Sequence, residues 1–180
     1  AGLRNQLRQA QTALMDLLKL DPPPLSGMDL FASRGRPRPC FDLNAGIGAP
    51  KDQTAGPRAD YDAGKRPIPA GRKRILITGC PVGGVLEKTV QAVEENGGTV
   101  VCFETCEGVK AARHLVDTQA EDIFSAIARR DLNTGCAVMS PNRSRMELLP
   151  QLAAEFRVDG ILEVELPVCH PYTVERREME

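Results

Sequence analysis

The sequence predicts an α/β fold with a four-stranded parallel sheet, preceded by one helix and an irregular linker. Two observations lead there. Short apolar runs alternate with amphipathic segments along the second half of the chain, and a helical repeat near the N-terminus gives way to a long stretch without periodicity. Strands that alternate with helices form parallel sheets covered by helices. A chain of 180 residues can hold one such domain and an arm.

The first segment, residues 1–31, is predicted to be a helix followed by a proline-rich turn. Pro22 to Pro24 should end the helix, because proline lacks an amide donor and clashes with the preceding turn. The apolar residues that recur at helical spacing are Leu3, Leu7, Ala10, Leu14 and Leu17.

Residues 32–72 are predicted to be an irregular linker. This stretch is rich in Pro, Gly, Arg and Asp and has neither a strand period nor a helix period. We expect residues 32–60 to pack poorly, because they have no periodic apolar face. An altered or disordered segment would have this composition.

The remainder, residues 73–180, alternates strands and helices. Gly97 and Gly98 mark the end of the first helix of this region. The predicted strands are 75–78, 99–103, 136–139 and 160–164. The predicted helices are 85–96, 121–130 and 142–156.

Four cysteines, Cys80, Cys106, Cys136 and Cys169, are spaced by roughly one strand–helix unit. Three of them follow predicted strands, and ligands of parallel sheets bind beyond the carboxyl ends of the strands. Cys136 would begin the third strand, so its place beside the others is less certain. Thiols gathered in a cytosolic protein usually indicate a metal, an iron–sulfur cluster or redox chemistry.

The cysteines are also compatible with three simpler roles. Six cysteines could form disulfides, but the chain has no secretory signal and an α/β pattern. Structural zinc sites usually have short Cys-x2–4-Cys pairs, and only Cys102 and Cys106 have such a spacing. The cysteines could also be ordinary core residues. Cys102, inside a strand, and Cys40, in the linker, are predicted to lie outside the group.

Composition limits the classes of partner. The net charge of −1 gives no strong attraction to nucleic acid, and the apolar runs are too short to span a membrane. We therefore expect a cytoplasmic protein. The first residue is not Met and the last six residues are mostly charged, which suggests a fragment or a processed piece.

Two motifs could bind ligands without cysteine chemistry. The turn from Thr78 to Gly84 places glycines before a helix N-terminus, which favours an anionic group, and a nucleotide-binding domain is the corresponding alternative. Pro81 stands where a dinucleotide fingerprint needs glycine. His170 adjoins Cys169 and could ligate a metal or donate a hydrogen bond. His114 is interpreted as structural or exposed.

Four ordered motifs resemble the 2-hydroxyacyl-CoA dehydratase and benzoyl-CoA reductase family, most closely its branch of double-cubane cluster proteins. The resemblance runs from about Asp60 to the C-terminus and again over Leu3 to Leu30. The motifs are Ile75-Leu76-Ile77-Thr78-Gly79-Cys80-Pro81, Glu104-Thr105-Cys106, Gly135-Cys136-Ala137-Val138-Met139-Ser140-Pro141-Asn142 and Cys169-His170-Pro171-Tyr172.

The resemblance implies a two-lobe protein whose lobes are three-layer, flavodoxin-like α/β domains with an iron–sulfur cluster between them. Residues 1–31 would be the inter-lobe helix and residues 73–180 a C-terminally incomplete cluster-binding lobe. Cys80, Cys106, Cys136 and Cys169 match the family's cysteine positions, which implies that they ligate a 4Fe-4S or double-cubane cluster. The resemblance assigns no catalytic residue.

The resemblance also implies partners and an activity. An ATP-hydrolysing iron–sulfur activator would supply single electrons to the full-length dimer. The substrate would be a CoA thioester in a dehydratase (a lyase) or a small molecule in a double-cubane reductase. The first lobe is missing here, and residues 34–58 do not resemble the family's helical segment. We therefore expect this fragment alone to be inactive. An electron-transfer or binding module, or an inactive truncated product, is the alternative.

Overall fold

A computed structural model describes residues 1–34, 42–80 and 82–179. Cys40 and Pro81 lie outside the described residues. The described part is an α/β structure with a parallel sheet and helices on both of its faces. Its strands are β1 (Lys73–Gly79), β2 (Gly98–Glu104) and β3 (Gly160–Val164). Its helices are α1 (Gly2–Asp16), α2 (Gly27–Arg34), α3 (Leu43–Asp62), α4 (Gly84–Glu95), α5 (Val109–Ala112), α6 (Ile123–Leu132), α7 (Arg143–Glu155) and α8 (His170–Met179).

The sheet has three strands in the order β2-β1-β3, all parallel. The parallel arrangement confirms the prediction, and β1, β2 and β3 coincide with three of the predicted strands. The fourth prediction, a strand at 136–139, is wrong: this segment forms a turn between α6 and α7 in which the amide of Met139 donates to the carbonyl of Cys136. Four residues between a glycine and a proline are too few to establish a strand at this place.

The predicted helices are confirmed in position. α4, α6 and α7 match the segments 85–96, 121–130 and 142–156 within a few residues. α1 buries Ala10 and Leu14 from the predicted apolar stripe, and a short 3-10 turn at Leu17–Lys19 follows it before the prolines. The periodic apolar pattern therefore located these elements reliably.

Helix α3 contradicts the irregular linker predicted for 32–72. Asp42 caps its N-terminus by accepting hydrogen bonds from the amides of Asn44 and Ala45, at 2.9 and 3.3 Å. The helix packs against α1 and continues through Pro50 and Pro57. The expectation of poor packing is closer to the structure, because Ile47 is the one buried residue along α3.

The two faces of the sheet are covered by different helices. Phe103 of β2 contacts Phe31 of α2, with ring centroids 6.4 Å apart. The neighbouring residue Glu104 points to the opposite face, where α7 places Arg145. The main core includes Leu18, Leu30, Leu76, Ile77, Val90, Val100, Val101 and Leu152, each at most 1% exposed. None of the helices in the described part of the chain has both the length and the hydropathy needed to cross a bilayer.

Candidate iron–sulfur site

The loops at the carboxyl edge of the sheet carry the predicted ligand cysteines. Cys80 follows β1 directly, Cys106 lies in the tight turn after β2, and Cys169 immediately precedes α8. Cys136 lies in the turn between α6 and α7, because the strand predicted for it does not form. The exposure of the four side chains differs: Cys80 is buried, Cys136 and Cys169 are half-buried, and Cys106 is exposed.

Two glycines let the backbone pass closely beside the first two cysteines. Gly79 has φ +119°, and a Cβ there would lie 2.0 Å from the carbonyl oxygen of Val164. A Cβ at Gly108 would lie 1.9 Å from the carbonyl oxygen of Phe103. Any larger residue would displace the loop that carries Cys80 or Cys106, since neither backbone neighbour is a flexible side chain.

The thiols of Cys80 and Cys169 are neighbours. Burial is the largest influence that raises the pKa of Cys80, and the charge of Cys169 and a hydrogen bond between the two side chains raise it further. The backbone amide of Leu166 donates to Cys80 Sγ at 3.1 Å, which acts in the opposite direction. Without a metal or cluster, the Cys80 thiol therefore favours its protonated form.

Tyr172, in the first turn of α8, is the buried centre of this region. It packs in a small apolar cluster with Cys80, Ala137 and the half-buried Cys169. Burial is the main cause that raises the pKa of its phenol, followed by the charge of Cys106, and Cys136 adds to the effect. The Tyr172 side chain therefore lies within the electrostatic range of Cys106 and Cys136, and it packs in the same cluster as Cys80 and Cys169.

A row of polar residues crosses the sheet beneath this cluster. The parallel register aligns Thr78 of β1 with Glu104 of β2 on one side and Glu163 of β3 on the other. We call Glu104, Thr78 and Glu163 the polar row. Thr78 donates to Glu104 Oε2 at 2.5 Å, and both residues are at most 1% exposed.

Arg145 of α7 lies over the polar row and is fully buried. Its guanidinium donates to Thr78 Oγ1 at 2.8 Å and to Glu104 Oε2 at 3.4 Å, and its Nη2 lies 3.6 Å from Glu163 Oε1. It also donates to Glu175 Oε2 of α8 at 2.5 Å. Burial lowers the pKa of Arg145, but Glu104 and Glu175 more than offset this, so the pKa is raised.

A second cation and an amide complete the buried network. Lys110 Nζ lies 2.9 Å from Glu104 Oε1, and both side chains are at most 2% exposed. Asn142 donates to Glu175 Oε1 at 2.8 Å. The Tyr172 ring packs against both cations, with its centroid 4.9 Å from Arg145 Cζ and 5.6 Å from Lys110 Nζ. These distances allow cation–π attraction to each of them.

Glu163 carries the least compensated charge of the polar row. Burial raises the pKa of its carboxyl group, and the nearby charge of Glu165 raises it further, while Arg145 lowers it. Glu163 Oε1 and Glu165 Oε1 are buried and accept no hydrogen bond from any residue that the structure describes. An unpaired carboxylate oxygen of this kind is costly to bury.

The described residues contain no group of three or more His, Cys, Asp or Glu side chains placed to hold a metal ion. Among the described residues, the structure places Cys80 and Cys169 in one cluster with Tyr172, and it does not bring the four cysteines into a single ligand set. In donor chemistry they fit an iron–sulfur cluster, which is held by cysteine thiolates.

The remaining candidates lie apart from this group. Cys102 is 2% exposed in the interior of β2, as predicted, and burial followed by the charge of Glu104 raises its pKa strongly. Cys40 lies outside the described residues. His170 begins α8 and is exposed, whereas His114 is half-buried and burial lowers its pKa.

Sequence reasoning missed the buried network, although a signal was present. Arg145 stands three, four and seven residues before the buried residues Leu148, Leu149 and Leu152. This spacing places Arg145 on the core face of α7. A charged residue at such a position must find buried partners. Glu104 is a carboxylate in β2, a strand whose residues are all buried, and it therefore indicates such a partner.

Comparison with known proteins identifies the family of the chain. The sequence matches the family described as "2-hydroxyglutaryl-CoA dehydratase, D-component" over residues 2–180. It is 42% identical over 174 residues to the protein of Escherichia coli (strain K12) named "Putative dehydratase subunit YjiM". The aligned region is 97% of this chain but 45% of that relative, so the chain spans less than half of the relative's length. The chain belongs to the 2-hydroxyglutaryl-CoA dehydratase D-component family.

Proposed function

We propose that this chain is the iron–sulfur cluster-binding lobe of a 2-hydroxyacyl-CoA dehydratase-like enzyme or of a related ATP-dependent reductase. The observation that supports the proposal is the packing of Cys80 and Cys169 with Tyr172, together with the family match. Cys80 and Cys169 are in contact, and Cys106 and Cys136 both influence the Tyr172 phenol. Cys80, Cys106, Cys136 and Cys169 would hold the cluster.

The arrangement of the thiols favours a cluster over a single zinc ion. Four sulfurs bound to one zinc at about 2.3 Å lie within about 4 Å of one another. Structural zinc sites usually take such ligands from short Cys-x2–4-Cys pairs, whereas the four cysteines here lie on separate strand–helix units, a spacing that suits a cluster better. Bound iron would also hold Cys80 as a thiolate, which its buried position otherwise disfavours.

The protein's own residues would stabilise and shield the cluster. Tyr172 packs against Lys110 and Arg145, whose buried ion pairs with Glu104 and Glu175 would hold the ring in place beside the cluster. Tyr172 and Ala137 form an apolar wall beside Cys80 that limits the access of water. When bound, the cluster would supply single low-potential electrons for the reduction of a CoA thioester or a small molecule.

The functions of the whole protein follow from family membership as proposals. A second lobe, an ATP-hydrolysing activator and a CoA thioester would meet at the thiol side of the sheet, and residues 1–31 would connect the lobes. We further propose a cytoplasmic location and a dimer for the full-length protein. More specifically, we propose that the cluster has the double-cubane form.

The test is anaerobic reconstitution of the chain with ferrous iron and sulfide. Cys80→Ala should lower bound iron to below about a fifth of the wild-type amount, because a thiolate ligand is lost. Cys102→Ala is the matched control: it also removes a buried thiol next to the sheet, and it should leave bound iron unchanged. Equal iron binding by both variants would refute the proposed ligand set.

A module without its own substrate chemistry is the second candidate. Two cavities of the described part, neither of them lined by a predicted ligand cysteine, are places where a ligand of such a module could bind. One, of about 450 Å³, lies around His114 and Arg129, and the other, of about 380 Å³, lies between Ile75 and Leu162. A CoA thioester that changes the absorbance or redox titration of the reconstituted chain would favour the enzyme, and no response would favour the module.

A further inference from the structure

We infer that Arg145 is a positioning residue: its buried guanidinium sets the mutual placement of the loops that carry Cys80, Cys106 and Cys169, and its backbone supports the turn that carries Cys136. The inference rests on the proposed function only for what the thiols hold. The placement itself is a property of the chain alone, and it can be measured with no iron present.

The first step is that Arg145 reaches a residue near each cysteine. Thr78 and Glu104, two residues before Cys80 and Cys106, both accept hydrogen bonds from it. Glu175, its third acceptor, lies on α8, the helix that begins directly after Cys169.

The fourth cysteine is reached through the backbone. A Cβ built on Gly135 would lie 3.0 Å from Arg145 Cβ and 3.1 Å from its Cα. Gly135 immediately precedes Cys136, so the turn that carries this thiol rests directly on the backbone of Arg145. A residue larger than glycine would push the turn away from α7.

The second step is that the buried contacts of α8 centre on Arg145. Glu175 accepts buried hydrogen bonds from Arg145 and Asn142, at 2.5 and 2.8 Å, and the Tyr172 ring packs against Arg145 and Lys110. Both sets of contacts include Arg145. The position of Cys169 at the start of α8 therefore depends on this side chain.

The third step is that a guanidinium suits this role better than an ammonium group. Arg145 uses Nε, Nη1 and Nη2 toward different acceptors at fixed angles. A lysine presents one nitrogen on a flexible stem and cannot contact three elements in a fixed geometry. Arg145→Lys keeps the buried charge but removes the fork, so it separates placement from charge compensation.

The experiment measures thiol proximity with dibromobimane, which becomes fluorescent when it bridges two nearby thiols. The reduced, metal-free chain is treated at neutral pH, and the bridged pairs are identified by mass spectrometry of the digest. In the wild type the Cys80–Cys169 pair should dominate, because these thiols are in contact. In Arg145→Lys its yield should fall at least about fivefold, because the fork that fixes α8 is lost.

Arg74→Lys is the matched control. Arg74 is 6% exposed and binds the carbonyls of Leu18, Leu20 and Phe156 at the opposite end of the sheet. Both substitutions replace a buried guanidinium by an ammonium group, and circular dichroism compares their folding. Arg74→Lys should leave the Cys80–Cys169 yield unchanged.

A second variant keeps the inference testable if Arg145→Lys does not fold. Glu175→Gln removes one charge but keeps an acceptor, and it should lower the Cys80–Cys169 yield while the alkylation rate of Cys106 stays constant. Wild-type yields in Glu175→Gln and in any folded Arg145→Lys would overturn the inference, as would an equal loss in Arg74→Lys. Failure of cluster reconstitution would refute the proposed function and leave this result intact.

Discussion

Two buried arginines lie at opposite ends of the sheet, and they are neutralised in different ways. The guanidinium of Arg74, near the start of β1, donates to three backbone carbonyls. Its Nη1 forms an ion pair with Asp21 Oδ1 at 3.8 Å. Arg145, at the carboxyl end, contacts the three carboxylates of Glu104, Glu163 and Glu175. Burial accordingly lowers the pKa of Arg74, whereas carboxylates raise that of Arg145.

This difference separates a structural end of the sheet from a functional one. Neutral carbonyls need only a hydrogen-bond donor, so Arg74 completes the ends of a helix and a turn. Buried carboxylates next to thiols are expensive unless the region has another use for its charges. The carboxyl end also carries the cysteines, as expected for ligand sites in parallel sheets.

The largest expected effect on stability comes from replacing the buried arginine at each end of the sheet. Arg145→Met should lower the free energy of unfolding by about 3–5 kcal/mol, because buried carboxylates lose their cation. Arg74→Met should lower it by about 1–3 kcal/mol, because carbonyls lose a donor. Urea unfolding at neutral pH measures both. The two losses should converge at acidic pH, where carboxylates are protonated, and a constant difference would contradict the contrast.

Glycine substitutions compare the same two ends. Gly79→Ala should cost about 2–4 kcal/mol, because a left-handed backbone combines with a contact of 2.0 Å to Val164. Gly71→Ala, before β1, has φ +79° but no atom within 4 Å of the added Cβ, so strain alone should cost about 1–2 kcal/mol. Thermal unfolding ranks the two variants, and equal midpoints would show that the contact at Gly79 relaxes freely.

The aromatic–cation contacts should rank in the same order. Tyr172→Leu removes a buried ring that packs against Arg145 and Lys110 and should cost about 2–3 kcal/mol. Tyr61→Leu removes a ring stacked 3.7 Å from the exposed Arg66 and should cost at most about 1 kcal/mol. Chemical denaturation of both variants checks the order, and a larger loss in Tyr61→Leu would reverse the account.

Two carboxylates should shift stability with pH in opposite directions. Arg113 and Lys19 lower the pKa of Glu155 below its ordinary 4.5, so its contribution is present above that pH and is lost as pH falls through the folded-state pKa. Burial raises the pKa of Glu163, so its contribution is present below 4.5 and is lost as pH rises through the folded-state pKa.

Substitution by glutamine measures these signs. At neutral pH Glu155→Gln should lower stability and Glu163→Gln should raise it, each by at most about 1 kcal/mol because both groups are partly exposed. Below pH 4 both differences should shrink. A loss of stability in Glu163→Gln at neutral pH would show that its ion pair with Arg145 outweighs the cost of burial.

Local patterns predicted the regular elements because apolar residues recur with the period of each element, although β3 itself is not buried: Ile161 is 52% exposed and Leu162 36%. β3 was located residue for residue at 160–164, and α7 within one residue at each end. The turn at 136–139 misled because Ala137, Val138 and Met139 form a short apolar run. Val138 is nevertheless 78% exposed. The segment forms a turn next to Gly135, which lies close to Arg145 of α7.

Features that depend on partners far away in the sequence could not be predicted in the same way. Helix α3 lacks a periodic apolar face and contains two prolines, so its support by Asp42 and α1 is visible only in three dimensions. The polar row depends on strand register, which aligns Thr78 with Glu104 and Glu163. Cys80, Cys106 and Cys169, in contrast, could be singled out from sequence because each follows a predicted strand, whereas the choice of Cys136 rested on spacing and on the family resemblance.

The most direct test of the central claim is residue-by-residue protection of the thiols in the reconstituted chain. Alkylation with and without bound iron and sulfide, followed by mass spectrometry, reports each cysteine separately. We expect Cys106, Cys136 and Cys169 to be protected together by bound iron and sulfide, and Cys80 and Cys102 to react slowly in both states because both are buried. If exposed Cys106 alkylates at the same rate with and without the cluster while iron remains bound, the four thiols do not form one site.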